Sequence, residues 1–337
     1  MPLTTIFSAA VFPSASDRAL NNNSRKSVSS KVLLFTTGAL VAFAGNSILC
    51  RLALGGGWID AAGFTCIRLI SGTLVLLLIL RLSAQKRASI SSGNALSAIT
   101  LFGYAAAFSF AYLTLAAGTG ALILFGAVQI TMIAAAILSG ERLTGTEYVG
   151  VSLAFGGLVY LLFPGVTAPS LAGSLLMTAA GVCWGIYSLR GRGRGNPLAE
   201  TTVNFVLSLP LAVLLIFLFP GHSHLSLRGI LLAGLSGGLA SGIGYAVWYA
   251  AIREMTTTTA SVVQLAVPVL AAGGGVIFLD EEISTRLIIA TIIILGGISL
   301  AVFNHGNLPA TGAPHESTGN DEKPTQYPPI RGERDRG

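Results

Sequence analysis

Apolar residues gather along this chain in runs of eighteen or more, separated by short polar turns. That spacing predicts helices crossing ~30 Å of hydrocarbon. Ten spans follow, at roughly 32–50, 61–80, 95–116, 119–139, 147–164, 171–189, 200–219, 229–251, 257–279 and 287–303. Two stretches share one grammar. Gly118–Ser139 is apolar, Gly140-Glu141-Arg142-Leu143-Thr144 is a turn, and a second apolar run extends from about Glu147 to Phe163. At an offset of 140 residues, Ser261–Leu279, the turn Asp280-Glu281-Glu282-Ile283-Ser284 and Leu287–Phe303 repeat the plan. Glu141 falls on Glu281, Gly156-Gly157 on Gly296-Gly297, and Phe163 on Phe303.

The predicted fold is an all-α polytopic membrane protein of ten transmembrane helices, built as two five-helix repeats at 32–164 and 165–303. Five is odd, so the second repeat must sit inverted relative to the first, a plan common among secondary transporters. Residues 1–31 and 304–337 lack apolar periodicity and are expected to be disordered cytoplasmic tails. The basic, hydroxyl-rich first tail also has the composition of an organelle transit peptide.

Composition narrows the class further. Of 337 residues, 53% are hydrophobic and 10% charged, and the mean hydropathy is +0.74. Soluble domains carry about 25% charge, so a water-soluble fold is excluded. With the N-terminus inside, cytoplasmic segments hold sixteen Lys and Arg against three, Arg51, Arg228 and Arg286, on the other side. This bias puts both termini in the cytoplasm of a multi-pass protein of the cell membrane, expected to be a bacterial inner membrane. It also accounts for the net charge of +6 without nucleic acid. Cys50, Cys66 and Cys183 lie in or at the ends of spans with no metal spacing, and read as buried small hydrophobes.

The two acidic turns, Val267-Pro268-Val269-Leu270 before the second of them, Arg68, Trp184 with Tyr187, and Tyr245 with Trp248 and Tyr249 together resemble the EamA-type family of the drug/metabolite transporter superfamily. The likeness spans about 32–303. It implies a ten-helix inverted-repeat carrier that moves small metabolites, often outward, through a cavity between its halves. Two departures fall near that cavity: Ala44 stands where the family commonly has Trp before Gly45-Asn46-Ser47, and Gly126-Ala127-Val128-Gln129 stands where it commonly has Pro.

Arg68 is the one ionisable residue well inside a span. Mid-helix arginine costs about 2.5–3.5 kcal/mol on insertion scales, so it must face a cavity or a partner. Either it contacts an anionic group of a substrate, or it snorkels or binds helix-end carbonyls. The amides of Asn46, Gln129, Asn204 and Gln264 must bond across helices or line a wet cavity. Tyr104, Trp184, Tyr245 and Trp248 lie deep enough to wall a site, whereas Tyr112, Tyr187 and Tyr249 fit interfacial anchors. Pro268 removes a backbone hydrogen bond and exposes a carbonyl, and Gly273-Gly274-Gly275 marks a weakened helix after it. Gly234, Gly238, Gly242 and Ala246 form a small-residue seam at every fourth position. Glu141 and Glu281 are expected to cap the helices that follow them.

The candidate substrate-binding set is therefore Asn46, Arg68, Tyr104, Gln129, Trp184, Tyr245, Trp248, Gln264 and Pro268. No metal, cofactor or catalytic residue is expected. No Asp, Glu or His lies in the middle of a span, and no nucleophile with a base or Walker loop is present. The expectation is a secondary carrier for a small metabolite such as an amino acid or related zwitterion, working by alternating access and not an enzyme. The expected partners are that small molecule and the lipid bilayer, with a homodimer left open. The alternatives are a membrane-embedded or lipid-modifying enzyme, and a non-transporting sensor or scaffold.

Overall fold

Each apolar run becomes a helix because hydrocarbon offers backbone N–H and C=O groups no partner outside their own segment. The computed structural model describes residues 30–82, 93–138, 144–165, 168–191, 196–219, 225–252 and 263–305. Nearly all of both expected tails, and Glu141 of the first turn, lie outside them. The helices are α1 (Ser30–Gly55), α2 (Ala61–Leu82), α3 (Ala95–Ala111), α4 (Ala117–Leu138), α5 (Gly145–Leu162), α6 (Leu171–Gly191) and α7 (Pro197–Leu218). Next, Leu227–Leu235, a π-helical stretch Ser236–Ile243 and Gly244–Ile252 run on without a break as α8. The last two are α9 (Ala266–Leu279) and α10 (Thr285–His305). These positions follow the predicted spans closely, except that α3 ends at Ala111 rather than near 116 and α9 begins at Ala266, residues 257–262 of the ninth predicted span lying outside the described residues.

Seven of these helices are long and apolar enough to cross a membrane, and three more, in α3, α9 and α10, are apolar but shorter. Burial is arranged for lipid. Phe217 is 74% exposed and Leu34 69%, while Arg68 is 2% exposed. Leucines and phenylalanines cover the outside, and the polar residues Asn46, Ser47, Gln129, Ser236 and Ser241 are inside. A water-soluble protein would reverse that distribution. The protein is a multi-pass membrane protein.

Contacts at the helix ends show that successive helices alternate in direction. At one end of the bundle, Arg51 near the end of α1 donates from Nε to Glu281 Oε1 at 3.1 Å. Its Nη1 donates to the carbonyls of Tyr112 (3.1 Å) and Leu113 (3.3 Å), just after α3. The start of α8 joins the same end, since Ser226 Oγ donates to the Trp58 carbonyl at 2.6 Å. At the other end Arg190, closing α6, donates to Asn94 Oδ1 (2.9 Å) and Ser97 Oγ (3.3 Å) at the start of α3. Helices α1 and α6 therefore run in opposite senses. Side by side, α5 packs on α10, α2 on α7, and α4 on α9. Helix α3 packs on α6 and α7, α8 on α1 and α2, α4 on α6, and α9 on α1.

Glu281 does not cap the helix that follows it. Its Oε2 accepts the Ala117 N–H of α4 at 2.8 Å, and α10 is started instead by Ser284, whose Oγ accepts from Leu287 N–H at 3.1 Å. The carboxylate thus neutralises the positive end of a helix from the other half of the chain while pairing with Arg51. Glu281→Ala should lower stability by about 1–3 kcal/mol, the sum expected for a lost cap and a partly buried ion pair. Thermal unfolding in detergent measures it, and an unchanged midpoint would sink the assignment. At α5 the capping box is made by Thr144 with Glu147.

Two further expectations change. The seam in α8 does not keep its four-residue period: Gly234 faces open space, and the glycines meeting α2 are Gly237, Gly238 and Gly242. The π-helical turn shifts the register between them. Helix α9 runs unbroken through Gly273-Gly274-Gly275, and the interruption comes earlier, at Leu265. Pro268 lies three residues on, in the first turn, where a missing N–H costs least.

Candidate functional site

Five helices meet around a narrow cavity inside the bundle. Its wall is Phe43, Asn46 and Ser47 from α1, Tyr104 and Phe108 from α3, and Leu124 and Phe125 from α4, with Trp184 from α6 and Ala240, Ser241 and Tyr245 from α8. Its volume is about 20 Å³. One water needs roughly 10–15 Å³ on that measure, so this conformation holds about one water and no metabolite.

A polar chain runs through the wall and behind it. Ser236 Oγ donates to Asn46 Oδ1 at 2.6 Å, and Asn46 Nδ2 donates to Tyr104 Oη at 3.3 Å. Arg68 stands behind Tyr104 and Ser241. Its Nη2 donates to Tyr104 Oη at 3.0 Å and its Nε to Ser241 Oγ at 3.3 Å. The guanidinium carbon lies 5.1 Å from the Tyr104 ring centre and 4.9 Å from that of Phe108, within cation–π range. Nη1 is buried without a hydrogen-bond partner, and Arg68 makes no ion pair among the described residues. It neither snorkels nor binds a helix-end carbonyl. A buried donor left unmade costs about 1–3 kcal/mol, and more when charged.

The π-helical stretch is what lets α8 supply both serines. At 100° per residue in an α-helix, positions five apart diverge by about 140°. Bonds from i to i+5 wind the chain more loosely and return residues five apart to nearly one face. Ser236 therefore reaches Asn46 on α1 while Ser241 reaches Arg68 on α2.

Aromatic rings complete the wall. Trp184 lies 4.8 Å from Tyr104, 5.2 Å from Tyr245 and 5.5 Å from Tyr187, centre to centre. Phe43 packs edge-on against Tyr245 (5.9 Å) and Trp248 (5.7 Å).

Of the predicted residues, the structure brings Asn46, Tyr104, Trp184 and Tyr245 into the wall, Arg68 directly behind it, and Trp248 against Phe43. Gln129, Gln264 and Pro268 lie on or just before the adjoining helices α4 and α9 and do not line the cavity. Tyr112 and Tyr187 are buried, not interfacial: Tyr112 donates to the Ala117 carbonyl (3.2 Å) and Tyr187 to Thr201 Oγ1 (3.4 Å). The side chain of Tyr249 lies outside the description. Phe43, Phe108, Ser236 and Ser241 escaped the sequence reading. Serines cost little in a span and phenylalanines are common there, so the available signal was only their proximity to glycines and to Asn46.

A helical membrane bundle closed around a polar and aromatic cavity defines a polytopic membrane protein with an internal site, and comparison with known proteins says which kind. Residues 171–303 match the EamA-like transporter family. An uncharacterised Pseudomonas aeruginosa protein is 51% identical over 270 residues, 80% of this chain and 94% of that one. An uncharacterised transporter of Archaeoglobus fulgidus is 30% identical over 196 residues, 56% of this chain and 68% of its own. The threonine/homoserine exporter RhtA of Escherichia coli is 28% identical over 245 residues, 69% of this chain and 78% of its own. A solved crystal structure superimposes with a TM-score of 0.58 at 21% identity, covering 85% of this chain and all of the other, a likeness of fold alone. The chain belongs to the EamA-like transporter family and is a membrane transporter.

Proposed function

We propose that the protein exports a small metabolite, an amino acid or related zwitterion, by alternating access at the cavity. The observation that carries this reading is the cavity itself, walled by α1, α3 and α4 from one half of the chain and by α6 and α8 from the other. Export and substrate class are favoured by RhtA, whose name gives threonine and homoserine as its substrates.

Alternating access needs two halves of similar energy, and an inverted repeat supplies them. Three features support that relation between 32–164 and 165–303. Adding five to each helix number turns α3–α6 packing into α8–α1, α4–α6 into α9–α1, and α3–α7 into α8–α2, all of which occur. Gly157 and Gly297 both face the α5–α10 contact, while their neighbours Gly156 and Gly296 both face open space. At the same offset of 140 residues, Ala44-Gly45 of α1 falls on Trp184-Gly185 of α6, so the indole missing from the first half stands in the second.

In this reading Asn46, Tyr104, Trp184 and Tyr245 touch the substrate and Trp248 buttresses Phe43. Gln129, Gln264 and Pro268 join the site once α4 and α9 part. Both termini face the cytoplasm of a bacterial inner membrane, in keeping with the distribution of Arg and Lys. The test is flux of a panel of radiolabelled amino acids in proteoliposomes. Saturable flux above protein-free vesicles is expected, and none across the panel would count against the proposal.

A further inference from the structure

Resting on that carrier reading, the geometry points to Arg68 as the anchor for a carboxylate group of the transported molecule. Arg68 is 2% exposed, yet one of its three nitrogens, Nη1, has no partner, and among the described residues no carboxylate pairs with it. A buried cation without a counter-ion is a costly arrangement that a structural role does not require, because a neutral residue would pack there more cheaply. The charge is instead held ready. Tyr104 and Ser241 fix two of its nitrogens, and the rings of Tyr104 and Phe108 partly offset the positive charge.

Three groups that touch Arg68, namely Tyr104, Phe108 and Ser241, also form part of the cavity wall. A rotation of Tyr104 or Phe108 would therefore open the guanidinium to the cavity. A carboxylate arriving there meets a planar fork with a spare N–H group, the pairing that arginine makes best. Ser241, which accepts from Nε, keeps its own proton to donate to the same anion. The wall offers no carboxylate for a substrate ammonium, which would meet Asn46 Oδ1 and the faces of Trp184 and Tyr245 instead. The recognised chemistry is thus an organic carboxylate, carried either by a zwitterionic amino acid or by an organic monoanion.

The test loads proteoliposomes with a bacterial small-metabolite extract and follows, by mass spectrometry, which compounds leave faster than from protein-free vesicles. Wild-type protein should release compounds that share a carboxylate. Arg68→Met should slow their release at least tenfold, and Arg68→Lys should retain part of it. Leucine, 4-methylpentanoate, leucinamide and 3-methylbutylamine, offered singly, separate the sources: release of the first two identifies the carboxylate, and the ratio between them says whether the ammonium contributes. Release of leucinamide or 3-methylbutylamine as fast as leucine, or unchanged release by Arg68→Met, overturns the anchor and leaves the carrier standing. No protein-dependent release of any compound overturns the carrier reading, and the anchor with it. Should Arg68→Met not fold, as judged by its thermal unfolding, the four single compounds on wild-type protein decide the matter alone.

Discussion

A leucine in place of Gly237 is expected to leave little folded protein. A Cβ at this position would fall on the carbonyl oxygen of Arg68 and on Ser71 Oγ, at separations that atoms do not tolerate. The carbonyl is backbone, so it cannot rotate aside. From the facing helix, a Cβ on Gly72 would stand 3.1 Å from the Gly237 carbonyl oxygen and 2.7 Å from Phe205 Cε1. Helices α2 and α8 are therefore as close here as backbones allow, and a longer side chain can only push them apart. Overpacking a core costs about 1–3 kcal/mol where side chains can yield, and this site should exceed that range. Separation would also break the Arg68–Ser241 bond. Size-exclusion profiles and thermal unfolding in detergent measure the effect. Gly234→Leu is the control, because nothing lies within 4 Å of its Cβ; it should stay within about 0.5 kcal/mol of wild type. Equal behaviour of the two variants would show that the α2–α8 contact is not as described.

Trp184→Ala should reduce flux at least tenfold while leaving a folded protein. The indole is half-buried and touches the rings of Tyr104, Tyr187 and Tyr245. Each such pair contributes about 0.5–1.5 kcal/mol beyond its buried area. Removing all three leaves the cavity wall without the ring that joins α3, α6 and α8, so the loss falls first on substrate positioning. Trp184→Phe keeps a ring and should be intermediate. The chain has three tryptophans, Trp58, Trp184 and Trp248. Trp58 is outside the cavity, under the Arg228 guanidinium at 4.7 Å. A change in emission on adding a transported compound should therefore be reduced in Trp184→Phe, with the remainder coming from Trp248 against Phe43. Flux at the wild-type rate in Trp184→Ala would remove the indole from the site.

Much of this arrangement was legible in the sequence because hydrocarbon makes polarity expensive. Arg68, Asn46, Tyr104, Trp184 and Tyr245 were picked out by depth within apolar runs, and they converge in the fold. The same rule singled out Gln129 and Gln264, since depth along a span says nothing about which way a helix face turns. Tyr112 and Tyr187 were misjudged for the opposite reason. Both lie close to span ends, where anchoring is the common role, but short helices and tight connections bury those ends. Ser236 and Ser241 were not legible at all. Their joint role depends on a local winding that no hydrophobic period announces, and the four-residue spacing of Gly234, Gly238, Gly242 and Ala246 argued for a regular helix. Glu281 shows a further limit, because its partners Arg51 and Ala117 are distant in sequence.

The loosened turn at Ser236–Ile243 also makes residue count itself part of the apparatus. Deleting one amino acid there would let α8 relax to ordinary winding, at little cost to the helix. The π winding holds about one residue more per turn, so that deletion would leave the flanks near their places. Ordinary winding with no residue lost would instead swing everything beyond Ile243 by about 100° and slide it by about 1.5 Å. Tyr245 and Trp248 would leave Phe43 without a single side chain having been exchanged. Among relatives, a one-residue deletion in this octet should thus be tolerated where the winding changes with it, and alignments that place the gap elsewhere would put Tyr245 and Trp248 out of register.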